Sequence, residues 1–75
     1  MITPSTCRAA RSYLRWSQAD LAERAGLGRA TVVRYEASWC QTEPESVAKI
    51  WQALEREGFR FRGDGAVLFP KIRVA

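Results

Sequence analysis

Arg29, Ala30, Val33 and Arg34 stand in the run GLGRATVVRYE, residues 26–36, at spacings that gather them on one side of a helix. Arginine presents a planar fork of donors that matches a guanine edge or a phosphate, and alanine and valine offer small apolar surfaces that fit a thymine methyl. Two readings compete for this stretch. Either it is an ordinary core helix with solvated arginines, or its outer face is built to enter a nucleic-acid groove.

Other chemistry is thin. Histidine is absent, which removes the commonest general base and the commonest metal ligand. Cys7 and Cys40 have no motif spacing, cannot complete a tetrahedral zinc site and have no histidine to activate them. They read as reduced, structural thiols. The acidic residues are scattered, with no glycine-rich phosphate loop beside them. No enzyme, no cofactor and no metal is expected.

The 75 residues suffice for one small domain with a modest core, and 47% apolar content argues against disorder. No apolar run approaches a membrane span and the opening residues are too polar for a signal peptide, so a cytoplasmic protein, nucleoid-associated if it binds DNA, is expected. Charge is unevenly spread. Residues 1–34 carry six arginines against Asp20 and Glu23, residues 35–57 carry Lys49 and Arg56 against five glutamates, and residues 58–75 carry four cations against Asp64. Ten of the twelve cations are arginine, and a basic front with an acidic back suits a protein that meets a polyanion with one face.

Four helices must position those residues. Thr3 caps the first, with Pro4 at its opening position, and Cys7, Ala10 and Leu14 share its apolar face. Arg8, Arg11 and Arg15 make a second row that reads as a solvated edge. Ser17 caps the second helix with Asp20 as a short capping box, Leu21, Ala22 and Ala25 form its stripe, and Gly26 terminates it. Only Leu27 and Gly28 separate it from the third helix, a connection that forces a sharp crossing. In that third helix Val32, Tyr35 and Trp39 face inward, and Ala30, Val33, Arg34 and Ala37 face outward, with Arg29 at the first turn. Thr42 caps the fourth helix, Glu43 and Glu45 favour its positive end, Val47, Ile50, Trp51 and Leu54 are buried, and Gly58 ends it. Trp16 and Trp51 read as core.

From residue 59 the period changes. FRFR alternates, GDG turns, and AVLF is a short β-prone run closed by Pro70. Phe59 and Phe61 share one face, as do Val67 and Phe69. A lone two-stranded ribbon is barely stable in water, so it must pack on something. It either covers the helical core of its own chain or pairs with the same tail of a second chain; the second is preferred, with Phe59, Phe61, Val67 and Phe69 as the dimerisation residues.

The run SQADLAERAGLGRATVVRYE, residues 17–36, resembles the helix-turn-helix of the Cro/CI-type (XRE) DNA-binding domains of bacteria and their phages. The matching features are Gln18, Leu21-Ala22, Ala25-Gly26, Thr31-Val32 and the pair Tyr35-Glu36. The resemblance extends over roughly residues 3–57 and leaves out the tail. It implies a mainly α, four-helix, lambda-repressor-like helix-turn-helix domain over residues 1–58, to which the residue pattern at 59–75 adds a short β hairpin or strand pair. It assigns base contacts to Arg29, Ala30, Val33 and Arg34, phosphate contacts to Ser17, Gln18 and Thr31, and a structural ion pair to Arg11 and Glu36. Two positions depart from the pattern. Gly28 stands where a serine or threonine cap is common, and the loop after the third helix is not basic, leaving Arg8, Arg15 or the tail to supply that charge.

The expected function is a sequence-specific double-stranded DNA-binding regulator, a repressor, acting as a homodimer on a palindromic operator, with no membrane and no small-molecule ligand. The rival is an antitoxin-like or other protein-binding module whose tail grips a partner protein.

Overall fold

A computed structural model of the chain describes residues 2–37, 42–63 and 66–70. Four helices come first: α1 (Pro4–Leu14), α2 (Gln18–Ala25), α3 (Arg29–Ala37) and α4 (Pro44–Glu55). A two-stranded antiparallel sheet of β1 (Arg60–Phe61) and β2 (Val67–Leu68) follows, so the chain is mainly α.

The local signals for α1 and α2 act as read. Thr3 accepts from the Thr6 N–H at 3.2 Å and its own N–H donates to Thr6 Oγ1 at 2.9 Å, closing a full capping box ahead of Pro4. Ser17 and Asp20 close a second box, the Asp20 N–H donating to Ser17 Oγ at 3.0 Å and the Ser17 N–H to Asp20 Oδ2 at 2.9 Å. Those bonds from Ser17, backbone first, hold the Asp20 carboxyl below its ordinary range. Gly26 ends α2 at φ 71° and ψ 34°, the left-handed region, and the Leu27 N–H returns to the Ala22 carbonyl at 2.8 Å. Arg15 ends α1 in the same region at φ 58°, a conformation that costs a side-chain-bearing residue more than glycine.

The start of α4 differs from expectation. The chain enters α4 at Pro44, so the capping position falls on Glu43, which makes no side-chain cap bond, and Thr42 is one residue too early to act. Its far end also differs. Regular α-helix stops at Glu55, a tighter turn carries the chain over residues 56–58, and Gly58 then turns it out at φ 100°. A Cβ on Gly58 would stand 2.9 Å from Pro70 Cβ, so this glycine also makes room for the returning strand.

Leu21, Val32, Ile50, Leu54, Phe59 and Cys7 are the largest fully buried side chains. Ile2, Ala10, Ala22, Ala25, Ala53, Tyr35 and Phe61 complete the packing, and Leu14, Trp16, Leu27, Val47, Trp51 and Val67 pack against it from the margin. α2 and α3, joined through residues 26–28 alone, share the most extensive helix–helix contact. Trp39, Cys40, Asp64, Lys71 and Arg73 lie outside the described residues. Among the described residues, no helix is long and apolar enough to cross a membrane.

The hairpin corrects one expectation. Phe59 and Phe61 are 0% and 8% exposed within a single chain, so they belong to its own core and are not free to meet a second chain. Phe59 packs edge-on to Tyr13 at 5.7 Å between ring centroids, and Phe61 edge-on to Trp51 at 6.4 Å. The aromatic pair is already desolvated there against α1 and α4. Val67 is half-buried, while Phe69 and Leu68 remain exposed.

Candidate nucleic-acid interface

The face predicted from spacing is formed. Arg29, Ala30 and Arg34 are exposed on α3, with Thr31 and Val33 half-buried beside them. The opposite side of the helix buries Val32 completely and Tyr35 almost so. Burial pushes the Tyr35 hydroxyl up to about 12, which leaves it neutral across the physiological range. Among the described residues neither Arg29 nor Arg34 has a hydrogen-bond or ion-pair partner, so both guanidinium groups keep their donors for a ligand. Arg34 also borders a polar cleft of about 310 Å³ with Thr31, Thr42, Glu43 and Ser46, between α3 and the first turn of α4.

A buried polar clamp fixes how α3 sits on the rest of the chain. Glu36, 4% exposed, is its centre. Arg11 of α1 meets the carboxylate in a bidentate pair, Nε to Oε2 and Nη2 to Oε1, both at 2.9 Å. Gln18 Nε2 of α2 donates to Oε1 at 3.2 Å, and Cys7 Sγ of α1 donates to Oε2 at 3.4 Å. Arg11 Nη1 further donates to the Trp16 carbonyl at 3.0 Å, tying in the link between α1 and α2. One carboxylate thus locks three helices.

The electrostatics follow from that geometry. Burial alone would push the Glu36 carboxyl up, but bonds from Arg11, Gln18 and Cys7, with the Arg11 charge, outweigh it and hold it below the ordinary range. The bond to Glu36, against the opposing effect of burial, raises the Arg11 guanidinium further. Burial, then the Glu36 charge, raises the Cys7 thiol well above its usual value, so it stays protonated and serves as a donor. Cys7 is free and buried.

Spacing had placed Arg8 and Arg11 on a solvated edge; the structure corrects this for Arg11, while Arg8 stays exposed and adds one bond to α3. Arg11 is committed to Glu36. Arg8 Nη1 donates to the Glu36 backbone carbonyl in the last turn of α3, satisfying an orphan acceptor at the negative helix end. Arg15 is exposed. The Gln18 amide, assigned by resemblance to a phosphate, spends one donor on Glu36 and retains the other N–H and its carbonyl oxygen. Ser17 Oγ accepts the capping bond from the Asp20 N–H and keeps its own O–H donor on an exposed residue.

No signal in the local sequence marked Cys7, Arg8 or Gln18 as partners of Glu36, because they lie 18 to 29 positions away from it. Among the described residues no three His, Cys, Asp or Glu side chains gather as a metal site would require. In comparisons with known proteins, the chain matches no protein-family model and no curated protein sequence.

Proposed function

We propose that the chain is a sequence-specific double-stranded DNA-binding regulator of the Cro/CI-type helix-turn-helix class, a repressor that places α3 in the major groove. The observation that carries this reading is the α3 face itself. Two arginines with no partner among the described residues flank alanine and valine on the outer side, while Glu36 and Arg11 clamp the same helix from behind. A groove reader needs small apolar surface beside free guanidinium groups, and exposed Ala30 with Arg29 and Arg34 on the same helix supplies that combination.

In this reading Arg29 and Arg34 contact base edges, and Ala30 and Val33 pack on thymine methyl groups. Gln18 meets a phosphate through its remaining N–H at the positive end of α2, with Ser17 and Thr31 beside the backbone. A single recognition helix reads few base pairs, so the operator is a palindrome read by a homodimer with half-sites about one helical turn apart. The chain works as a binder and catalyses nothing. Exposed Leu68 and Phe69 favour one rival, an antitoxin-like module whose tail holds another protein.

Fluorescence anisotropy on a selected duplex and on a scrambled one, at one fixed salt concentration, tests the assignment. Arg34→Ala should cost about 1–3 kcal/mol on the selected site and relax preference at one base position. Gln18→Ala should weaken binding by a similar factor on both duplexes. Equal binding of the selected site by the wild type and Arg34→Ala sinks the assignment.

A further inference from the structure

Arg34 has an oppositely charged neighbour across the cleft that α3 shares with the first turn of α4. That space, about 310 Å³, is lined by Thr31 and Arg34 from α3 and by Thr42, Glu43 and Ser46 from the start of α4. Arg34 and Glu43 are both exposed, yet they form no ion pair with each other. Among the described residues neither side chain has any other partner.

The Glu43 carboxylate is left open for a local reason. It stands at the capping position of α4, where a side-chain acceptor ordinarily takes an N–H of the first turn, and it makes no such bond. Two residues on, Glu45 lies 3.9 Å from Lys49, one turn along the helix. Of the two carboxylates at the start of α4, one is answered and one is not.

An open guanidinium and an open carboxylate on one cleft suit a group that offers acceptors and a donor side by side. A phosphate offers acceptors alone and is repelled by Glu43. In the major groove the edge of a G·C pair presents the guanine N7 and O6 acceptors and then the cytosine N4–H donor, the pattern that these two side chains complement. An A·T pair ends instead in the thymine O4 acceptor and its methyl, which would set the carboxylate against an acceptor.

We propose that Glu43 is a specificity-determining residue that acts together with Arg34. Arg34 donates to the N7 and O6 of a guanine, and Glu43 accepts from N4 of the cytosine paired with it. The two side chains then read one base pair from both strands, and the carboxylate disfavours the phosphate contact that Arg34 alone could make anywhere on the duplex. This rests on the DNA-binding reading above and adds to it a base contact from outside α3.

The test uses the full chain, at one fixed salt concentration, on the duplex it selects from a random pool. Glu43→Ala removes an acceptor that holds no capping bond, so its helical circular-dichroism spectrum should match the wild type. Its preference for G·C at the pair where Arg34→Ala relaxes preference should fall about fivefold or more, the low end for one mismatched pair. Replacing that cytosine by N4-methylcytosine puts a methyl in place of the groove-facing N–H and leaves the guanine edge intact. The wild type should lose about fivefold on the methylated duplex, while Glu43→Ala binds both duplexes alike. Tighter binding of every duplex by Glu43→Ala, with its base preference intact, overturns the proposal and gives the cleft to a phosphate. An equal loss by both proteins on the methylated duplex also overturns it, as does a site whose Arg34-dependent pair is A·T. Each of these results leaves the DNA-binding reading standing, because the wild type still prefers its site. A wild type that selects no site overturns both.

Discussion

Replacing Arg11 by methionine removes the cation from a carboxylate that is 4% exposed and leaves the rest of the clamp in place. Breaking one partner of a buried pair costs about 3–5 kcal/mol, because the other charge is left uncompensated. The Arg11 side chain is itself 20% exposed, so water can reach part of the vacated site and the lower end, about 3 kcal/mol, applies. A chain of this length has about 4–11 kcal/mol in total. The variant should thus unfold roughly 12–24 °C below the wild type. Its pH dependence gives a sharper check. In the wild type the folded Glu36 carboxyl is held low, so its contribution is full above the unfolded value, about 4.3, and is lost as pH falls through the folded value. In Arg11→Met burial prevails and raises that carboxyl, so stability is lost as pH rises through it. The gap between the two proteins should therefore shrink as pH drops from 7 toward the unfolded value. Urea titrations followed by tryptophan fluorescence at pH 7 and pH 4 measure both gaps. A difference under about 1 kcal/mol at pH 7, or the same difference at both pH values, would refute the clamp as the element that fixes α3.

Other expectations follow from single contacts. Gly58→Ala should destabilise by more than about 1 kcal/mol, since it adds a Cβ 2.9 Å from Pro70 at φ 100°. Gly28→Ser, with open space around its Cβ, should instead add about a few tenths of a kcal/mol to the unfolding free energy from urea titration, through capping of α3. Phe59→Ala should cost about 3–5 kcal/mol in the same titration, a loss too large for a residue whose work lies only between chains.

Much of the helical scaffold was legible because its signals are local. Thr3-Pro4, Ser17 with Asp20, and Gly26 fix two starts and one stop through bonds that span three to five residues. The outward set on α3 followed from helical spacing alone. The Thr42 cap failed for an equally local reason, the offset that Pro44 imposes, and it was the finer part of that reading that went astray. The clamp was not legible from spacing. Arg11 looked solvated and Glu36 had no assignment, and only the resemblance joined them, because a contact across 25 positions leaves no periodic trace. The participation of Cys7 and Arg8 had no signal at all. Alternation in the tail correctly grouped Phe59 with Phe61 and Val67 with Phe69, but a period of two says which residues share a face and not which chain covers it.

The central claim is that the outer face of α3 reads a DNA sequence. Selection of bound duplexes from a fully randomised pool by the purified full chain, at near-physiological salt, tests it most directly. Enrichment of one palindromic site with half-sites about one helical turn apart is expected, with an altered or lost base preference when Arg34 is alanine. A pool that stays random after repeated rounds, or an enriched site that Arg34→Ala selects unchanged, would contradict it.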